Sequence, residues 1–198
     1  MPPGHYGHVP PCVRRGTICL IWHLARLRYN VIGTTGDEAV EIGGYEVMGL
    51  GLYFEDLPVG RKFRTIGRTL TEADLVNFIG VTGMTEVLFS NVEFLAHESD
   101  IKQRVVPGAM VYSFAEGLLV HATMQHTGFA FLNMELNVNG PTFAGDTIHV
   151  ECEVVESRRS ASRPGRGLVR TRNRVVKQDG TVVLTYNPLR MVKARSAG

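Results

Sequence analysis

The stretch PGAMVYSFAEGLLVHATMQHTG, residues 107–128, limits the fold more than any other part of the chain. Apart from Glu116, His121, Gln125 and His126 its residues are apolar or small nearly all round. A helix built from it has no broad polar face to turn to water, so other structure has to enclose it. Pro107 suits the first turn, where a missing N–H costs nothing, and Gly128 suits the C-terminal end. His121, facing an enclosing sheet from such a helix, reads as a hydrogen-bonded core histidine.

The enclosing structure follows in the chain. In FLNMELNVNG, Leu132, Met134, Leu136 and Val138 alternate with Asn133, Glu135, Asn137 and Asn139, the period-2 pattern of a half-buried strand. DTIHVECEVVE repeats it, with Ile148, Val150, Cys152 and Val154 on one face and His149, Glu151 and Glu153 on the other. LVRTRNRVVKQDGTVVLTY supplies two more strands joined at Asp179-Gly180, a two-residue hairpin signal because glycine accepts positive φ. One long buried helix and several antiparallel strands predict an α+β domain whose sheet wraps the helix.

Ahead of the helix, RKFRTIGRTL reads as a strand and TEADLVNFIGVTG as a helix. Thr71 and Asp74 are spaced for a capping box, and Gly83 is placed to end the helix. The segment from there to residue 106 reads as a loop.

Residues 1–47 differ in character from the domain at 48–198 and predict a poorly structured leader. MPPGHYGHVPPCVRRG is rich in Pro, Gly and His, and the apolar run TICLIWHLARLRYNVIG is broken by His23, Arg26 and Arg28. It falls short of the roughly 18 uncharged residues of a spanning helix and lacks a small-residue cleavage site after it. An amphipathic membrane-surface or partner helix is the functional alternative. Met48 stands just before the organised sequence, which fits a start codon chosen too far upstream. The formal charge of +2 is nearly neutral and argues against nucleic-acid binding, which needs a concentrated basic field. Cys12, Cys19 and Cys152 show no CxxC spacing and cannot all pair, so a reduced cytoplasmic protein without a cysteine-built metal site is expected.

Four blocks, YFEDLPVGRKF, RTLTEADLVNFIGVTG, RVVPGAMVYSFAEGLL and GPTFAGDTIHVECEVVE, together resemble the MaoC-like acyl-CoA hydratases and dehydratases, which include the (R)-specific enoyl-CoA hydratases. The resemblance covers about residues 52–193 and implies the hot-dog fold, a lyase activity on an acyl-CoA thioester with no further cofactor, and a homodimer whose sheets join edge to edge. Such hydratases carry an Asp-x-Asn-Pro-x-His segment after the first helix, whose carboxylate and imidazole activate a water for addition to an enoyl thioester. Laid on that pattern, Met84 takes the place of the Asp, Glu86 the Asn, Val87 the Pro and Phe89 the His. Neither Met84 nor Phe89 can accept a proton, so the usual mechanism cannot run from these positions.

The family's carbonyl-polarising glycine N–H, at the start of the central helix, is matched by Gly108, although Pro107 stands where many members have His. Glu86 is the candidate displaced base, on the condition that an apolar pocket with Met84 and Phe89 desolvates it; a solvated loop carboxylate is the plainer reading. His97 and Asp100 are candidates for a replacement pair, against a reading as exposed loop residues. Arg158, Arg159, Arg163 and Arg166 are candidates for the CoA phosphates, or belong to a mobile hairpin loop. Two functional classes stay open: an enoyl-CoA hydratase-like enzyme using other groups, and a non-catalytic acyl-thioester-binding or structural subunit, possibly paired with an active homologue.

Overall fold

The computed structural model describes residues 40–195. Residues 40–48 are the described part of a first unit, Met1–Met48. Here β1 (Glu41–Ile42) and β2 (Tyr45–Glu46) pair antiparallel across Gly43-Gly44, both at positive φ, and the Val47 N–H closes the hairpin on the Val40 carbonyl at 2.7 Å. This ordered hairpin corrects the expectation of a leader poorly structured as far as residue 47. Its signal was the Gly-Gly pair, which supplies the two left-handed residues of a tight turn. The apolar run of the leader lies outside the described residues, and among the described residues no helix is long and apolar enough to cross a membrane.

From residue 49 the chain forms the second unit. After a 3-10 turn at Phe54–Asp56 come β3 (Lys62–Arg64), β4 (Arg68–Thr69), α1 (Glu72–Thr82), α2 (Val87–Ser90), α3 (Val92–His97) and α4 (Gly108–Thr123). Then follow β5 (Gly128–Asn133), β6 (Leu136–Val138), β7 (Thr147–Arg159), β8 (Arg166–Lys177), β9 (Val182–Tyr186) and β10 (Leu189–Lys193). One antiparallel sheet contains β3 to β10. Strands β7 and β8 form its middle; β3 and β4 share the outer side of β7, β10 and β9 share the outer side of β8, and β5 and β6 pair with β10 and β9 respectively.

The outer ribbons are broken for local reasons. Pro188 has no N–H to offer between β9 and β10, and the neighbouring Asn187 fills the gap: its Oδ1 accepts from the Glu135 N–H at 2.8 Å and its own N–H donates to the Glu135 carbonyl at 3.1 Å. The single strand expected over residues 131–140 is therefore two, β5 and β6. The β8–β9 turn also differs from expectation. It spans Gln178-Asp179-Gly180, with Gly180 at φ 85° and the Lys177 N–H bonded to the Thr181 carbonyl at 2.9 Å, the three-residue form with glycine in the left-handed position.

Helix α1 has the expected termini. Thr71 Oγ1 accepts from the Asp74 N–H at 3.1 Å, Asp74 accepts from the Thr71 N–H at 3.0 Å, and Gly83 caps the other end at φ 72°. The segment read as a loop up to residue 106 instead contains α2 and α3, and Asn91 caps α3 by accepting from the Glu93 and Phe94 N–H groups. In α4, Pro107 is the N-cap and Gly108 the first helical residue. The helix ends at Thr123, and His126, not Gly128, takes the positive φ in the turn that follows. Gly128 is needed there for a different reason: a Cβ would stand 3.2 Å from the Met124 side chain and 3.3 Å from its carbonyl.

The core lies between α4 and the inner face of the sheet. Ile148, Val150 and Cys152 of β7, Val175 of β8 and Leu184 of β9 pack with Met110, Val111, Ala115 and Leu119 of α4. The enclosure of α4 is one-sided, which corrects the expectation of a helix covered all round. Ala109, Ser113, Gly117 and His121, four residues apart in turn, form an exposed stripe. His121 is thus at the surface and is not a core histidine. Because the rest of the stripe is small, little apolar area is left in water.

Candidate functional site

The segment that contains Met84, Glu86 and Phe89 runs through α2. Met84 and Phe89 are half-buried against the main core cluster, as are Tyr112 of α4 and Leu136 of β6. Glu86 is exposed, and its carboxylate caps α2 by accepting from the Leu88 N–H at 2.7 Å. The desolvating apolar pocket on which its reading as a base was conditioned does not surround it in this chain. Its neighbours Met84 and Phe89 turn inward, while the capping position turns Glu86 out.

Gly108 opens α4. As the first helical residue its N–H has no acceptor within the helix, and the helix dipole adds partial positive charge at that point. A Cβ at residue 108 would lie 3.1 Å from a methyl of Val138, so glycine lets β6 approach this end of α4 closely. The preceding segment is pinned by backbone bonds: Val106 N–H to the Thr142 carbonyl at 2.8 Å and Ala144 N–H to the Arg104 carbonyl at 2.9 Å.

Arg104, which the sequence reading did not single out, ties this region together. Its Nη1 donates to the Phe89 carbonyl at 2.7 Å and its Nε lies 3.2 Å from the Glu72 carboxylate at the start of α1. Beside it opens a polar groove of about 580 Å³ lined by Glu72, Arg104, Asp146, Lys177 and Gln178 among others. Asp146 and Lys177 form a largely buried pair at 2.9 Å, and Gln178 and the Phe143 N–H also donate to Asp146. Burial pushes the Asp146 carboxyl up, but these donors outweigh it and hold the group below its ordinary range.

The remaining candidates are placed apart from one another. His97 Nε2 lies 3.4 Å from Glu93 on its own helix, and both His97 and Asp100 are exposed; the ion partner of His97 is Glu93, not Asp100. The four arginines lie at the β7–β8 hairpin, at the far end of the sheet. Val138, close to Gly108, is level with Leu184 and Val175, whereas Arg166 is nine residues back along β8, about 30 Å at ~3.3 Å per residue. Arg158 pairs with Glu156 at 2.8 Å and Arg159 with Glu55 at 2.9 Å. The Arg163 and Arg166 guanidiniums lie over the Phe129 ring, 5.8 and 4.7 Å from its centre. The fold thus gathers Met84, Phe89, Gly108 and Arg104 in one region and leaves the arginine hairpin at the other end.

A polar cluster between α4 and the sheet also escaped the sequence reading. Glu116 of α4 accepts from the Tyr186 hydroxyl at 2.8 Å and pairs with Arg190 at 2.5 Å. The Tyr112 ring meets Tyr186 edge-on, 5.3 Å between centres. Burial, then the neighbouring Glu116, raise the Tyr186 phenol well above its ordinary value, so it remains a neutral donor. Burial pushes the Cys152 thiol up to about 12, which keeps it protonated and without nucleophilic character. The one available signal was Arg190, a charge between apolar neighbours at a buried position of β10. Among the described residues no group of His, Cys, Asp or Glu side chains could hold a metal ion.

Comparison with known proteins decides the family. The profile described as "MaoC like domain" matches residues 55–177, more than half of the 198-residue chain. The chain belongs to the MaoC-like domain family. Protein MaoC of Klebsiella aerogenes is 35% identical over 114 residues, 55% of this chain but only 33% of that longer protein. The crystal structure of a MaoC-like dehydratase from Rhodospirillum rubrum is 28% identical with a TM-score of 0.66, covering 73% of this chain and 99% of that one. A Mycobacterium tuberculosis protein described as having a double hot-dog fold superimposes with a TM-score of 0.65 at 24% identity, over 73% of this chain and 44% of that one. This MaoC-like chain has the hot-dog fold, its antiparallel sheet wrapped on α4.

Proposed function

We propose that this chain binds an acyl-CoA thioester at the start of α4, with the Gly108 N–H receiving the thioester carbonyl, in a site that has lost the usual proton-transfer pair. The observation that carries this reading is the packing of Met84 and Phe89 onto the same core cluster as Tyr112 of α4, while the helix-terminal N–H of Gly108 has no backbone acceptor among the described residues. A donor fixed at a helix N-terminus polarises a carbonyl without any proton transfer. Hydration needs in addition a group that takes a proton from water, and neither Met84 nor Phe89 can do so. Thioester binding with slow or absent turnover is therefore better supported than fast hydration. An enoyl-CoA hydratase using Glu86 is the second reading; it is favoured by the place of Glu86 inside the same segment, and disfavoured by its exposure.

The same reading includes a second hot-dog copy, in a homodimer or with a homologous subunit, set against the β5–β6 edge. This edge exposes Phe129, Phe131, Leu132 and Val138 and has no strand beyond it among the described residues. Such an edge is a liability unless another chain covers it.

Thermal unfolding with crotonyl-CoA and with free CoA tests the proposal. Crotonyl-CoA at a hundredfold excess over its Kd adds about 2.7 kcal/mol of stability, and free CoA adds less because it has no carbonyl for Gly108. Crotonyl-CoA that leaves the melting temperature unmoved overturns acyl-thioester binding. Rapid turnover by the unaltered chain would favour the enzyme reading instead.

A further inference from the structure

Beneath the C-terminal half of α4 lies a cavity of about 20 Å³, room for one water-sized group. Leu119, Phe63, Val169 and Val192 give it apolar walls, and Thr171 and Arg190 are among its polar ones. Arg190 is committed to Glu116. Thr171 is only 8% exposed and its Oγ1 has no hydrogen-bond partner among the described residues. Two residues on along β8, with the same inward parity, Asn173 is 0% exposed and neither its Nδ2 nor its Oδ1 has a partner. The cross-strand neighbours of Asn173 leave this unsatisfied: Cys152 offers a protonated thiol, and the Tyr186 hydroxyl is taken by Glu116.

Buried amides and hydroxyls in folded proteins are almost always paired, because leaving them dry is costly. Thr171, such an exception on the wall of a cavity, therefore points to a group that completes it. We propose that this cavity is a binding site for a neutral oxygen held by the Thr171 hydroxyl. Its source is either solvent, as an ordered water, or the hydroxyl of an acyl chain running under α4. Neutrality follows from the surroundings: the Arg190 charge is already matched by Glu116, and the apolar walls would not repay the desolvation of another ion. The chemistry is complementary as well, since the Thr171 hydroxyl offers both a donor and an acceptor. The acyl source rests on the proposed thioester binding, whereas the water source does not. Leu119 lies eleven residues beyond Gly108, about 16 Å along the helix, so the chain would have to be of medium length.

The test compares the full chain with Thr171→Val, which removes the hydroxyl at nearly constant shape, and Thr171→Ser, which keeps it. High-resolution crystals of the unliganded protein and of Thr171→Ser are expected to show a density peak within hydrogen-bond distance of residue 171 Oγ, and those of Thr171→Val to lack it. Thr171→Val is expected to melt at a lower temperature than Thr171→Ser. A cavity without a peak, together with a higher melting temperature for Thr171→Val, overturns the proposal, because removing an unpaired buried hydroxyl from a dry site stabilises. Dodecanoyl-CoA and 12-hydroxydodecanoyl-CoA then separate the sources. A roughly tenfold preference for the hydroxylated chain that Thr171→Val abolishes identifies the acyl hydroxyl. Equal binding, or no binding of either, with the peak retained identifies water. Failure of both CoA esters to bind counts against the thioester reading alone.

Discussion

Arg104 holds the carbonyl of Phe89, at 2.7 Å, with the same guanidinium that faces Glu72 at 3.2 Å. Phe89 is therefore fixed by its backbone as well as by its ring. The two interactions differ in weight. The bond to Phe89 is charge-assisted and part-buried, while Glu72 is more than half exposed. Arg104→Met is expected to cost about 1.5–3 kcal/mol, the range for a hydrogen bond to a charged group. Glu72→Gln is expected to cost under about 1 kcal/mol. Urea denaturation of the two variants checks this, and equal losses would assign the role of Arg104 to the surface pair.

The Asp146–Lys177 pair predicts an acid limb in stability. Burial pushes the Asp146 carboxyl up, but the Phe143 N–H, Gln178 and Lys177 together hold it below the ordinary aspartate range. A depressed carboxyl contributes stability that is present above its unfolded pKa and is lost as pH falls through the folded value. Melting temperature should accordingly drop steeply below about pH 4 in the natural chain and less steeply in Asp146→Asn. At neutral pH the same substitution leaves Lys177 buried without its partner and should cost about 3–5 kcal/mol. An acid limb of unchanged slope in Asp146→Asn would remove this pair from the pH response.

The β5–β6 edge predicts assembly. Leu132 and Val138 are 46% and 61% exposed on strands with one side unpaired among the described residues. Sedimentation at micromolar concentration should show a dimer, and Leu132→Lys should shift it to monomer with little change in the fold, because edge lysines oppose strand pairing. A stable monomer of the unaltered chain would contradict the edge assignment.

Much of this architecture was legible in the chain. The alternation Ile148, Val150, Cys152, Val154 gave β7 its buried face directly, since period two admits only one set of inward residues. The Thr71–Asp74 spacing gave the start of α1, because the cap is local. What escaped depends on residues distant in sequence. The break between β5 and β6 is made by Asn187, 52 positions from Glu135, and the grip on Phe89 comes from Arg104, 15 positions away. The exposed stripe of α4 was misread because alanine, serine and glycine look buried by composition yet suit a bare surface equally well. At the candidate site, Met84, Phe89 and Gly108 are candidates by position in the chain alone, whereas the orientation of Glu86 depends on the unexpected helix α2, which it caps.

Glu86 offers a test that separates structure from chemistry. Glutamine keeps a side-chain oxygen for the Leu88 N–H but cannot act as a base at neutral pH. If Glu86 drives hydration, Glu86→Gln should lower kcat on the order of a hundredfold while the melting temperature stays within about 1 °C. With Glu86 as a cap alone, crotonyl-CoA binding and any residual turnover should be unchanged. The exposure of Glu86 supports the second outcome.

The last prediction restores what the segment lacks. Met84→Asp with Phe89→His places the family's carboxylate and imidazole at the positions where this chain has apolar side chains, and leaves Gly108 and Arg104 untouched. Phe89 is half-buried against the core and its carbonyl is held by Arg104, so the new imidazole inherits a fixed backbone. The exchange removes apolar packing and brings two polar groups toward the core, with an expected loss of about 2–4 kcal/mol in stability. The gain should appear in catalysis: a paired acid and base typically contributes 10²–10⁴-fold, so crotonyl-CoA hydration should rise by about a hundredfold or more above the natural chain. The rate should follow a pH profile in which the imidazole must be neutral to act as base. Either single substitution should gain far less, because the water then has only one partner. A folded double variant that binds crotonyl-CoA as tightly as the natural chain, yet hydrates it no faster, would show that Met84 and Phe89 do not occupy the sites of the missing pair.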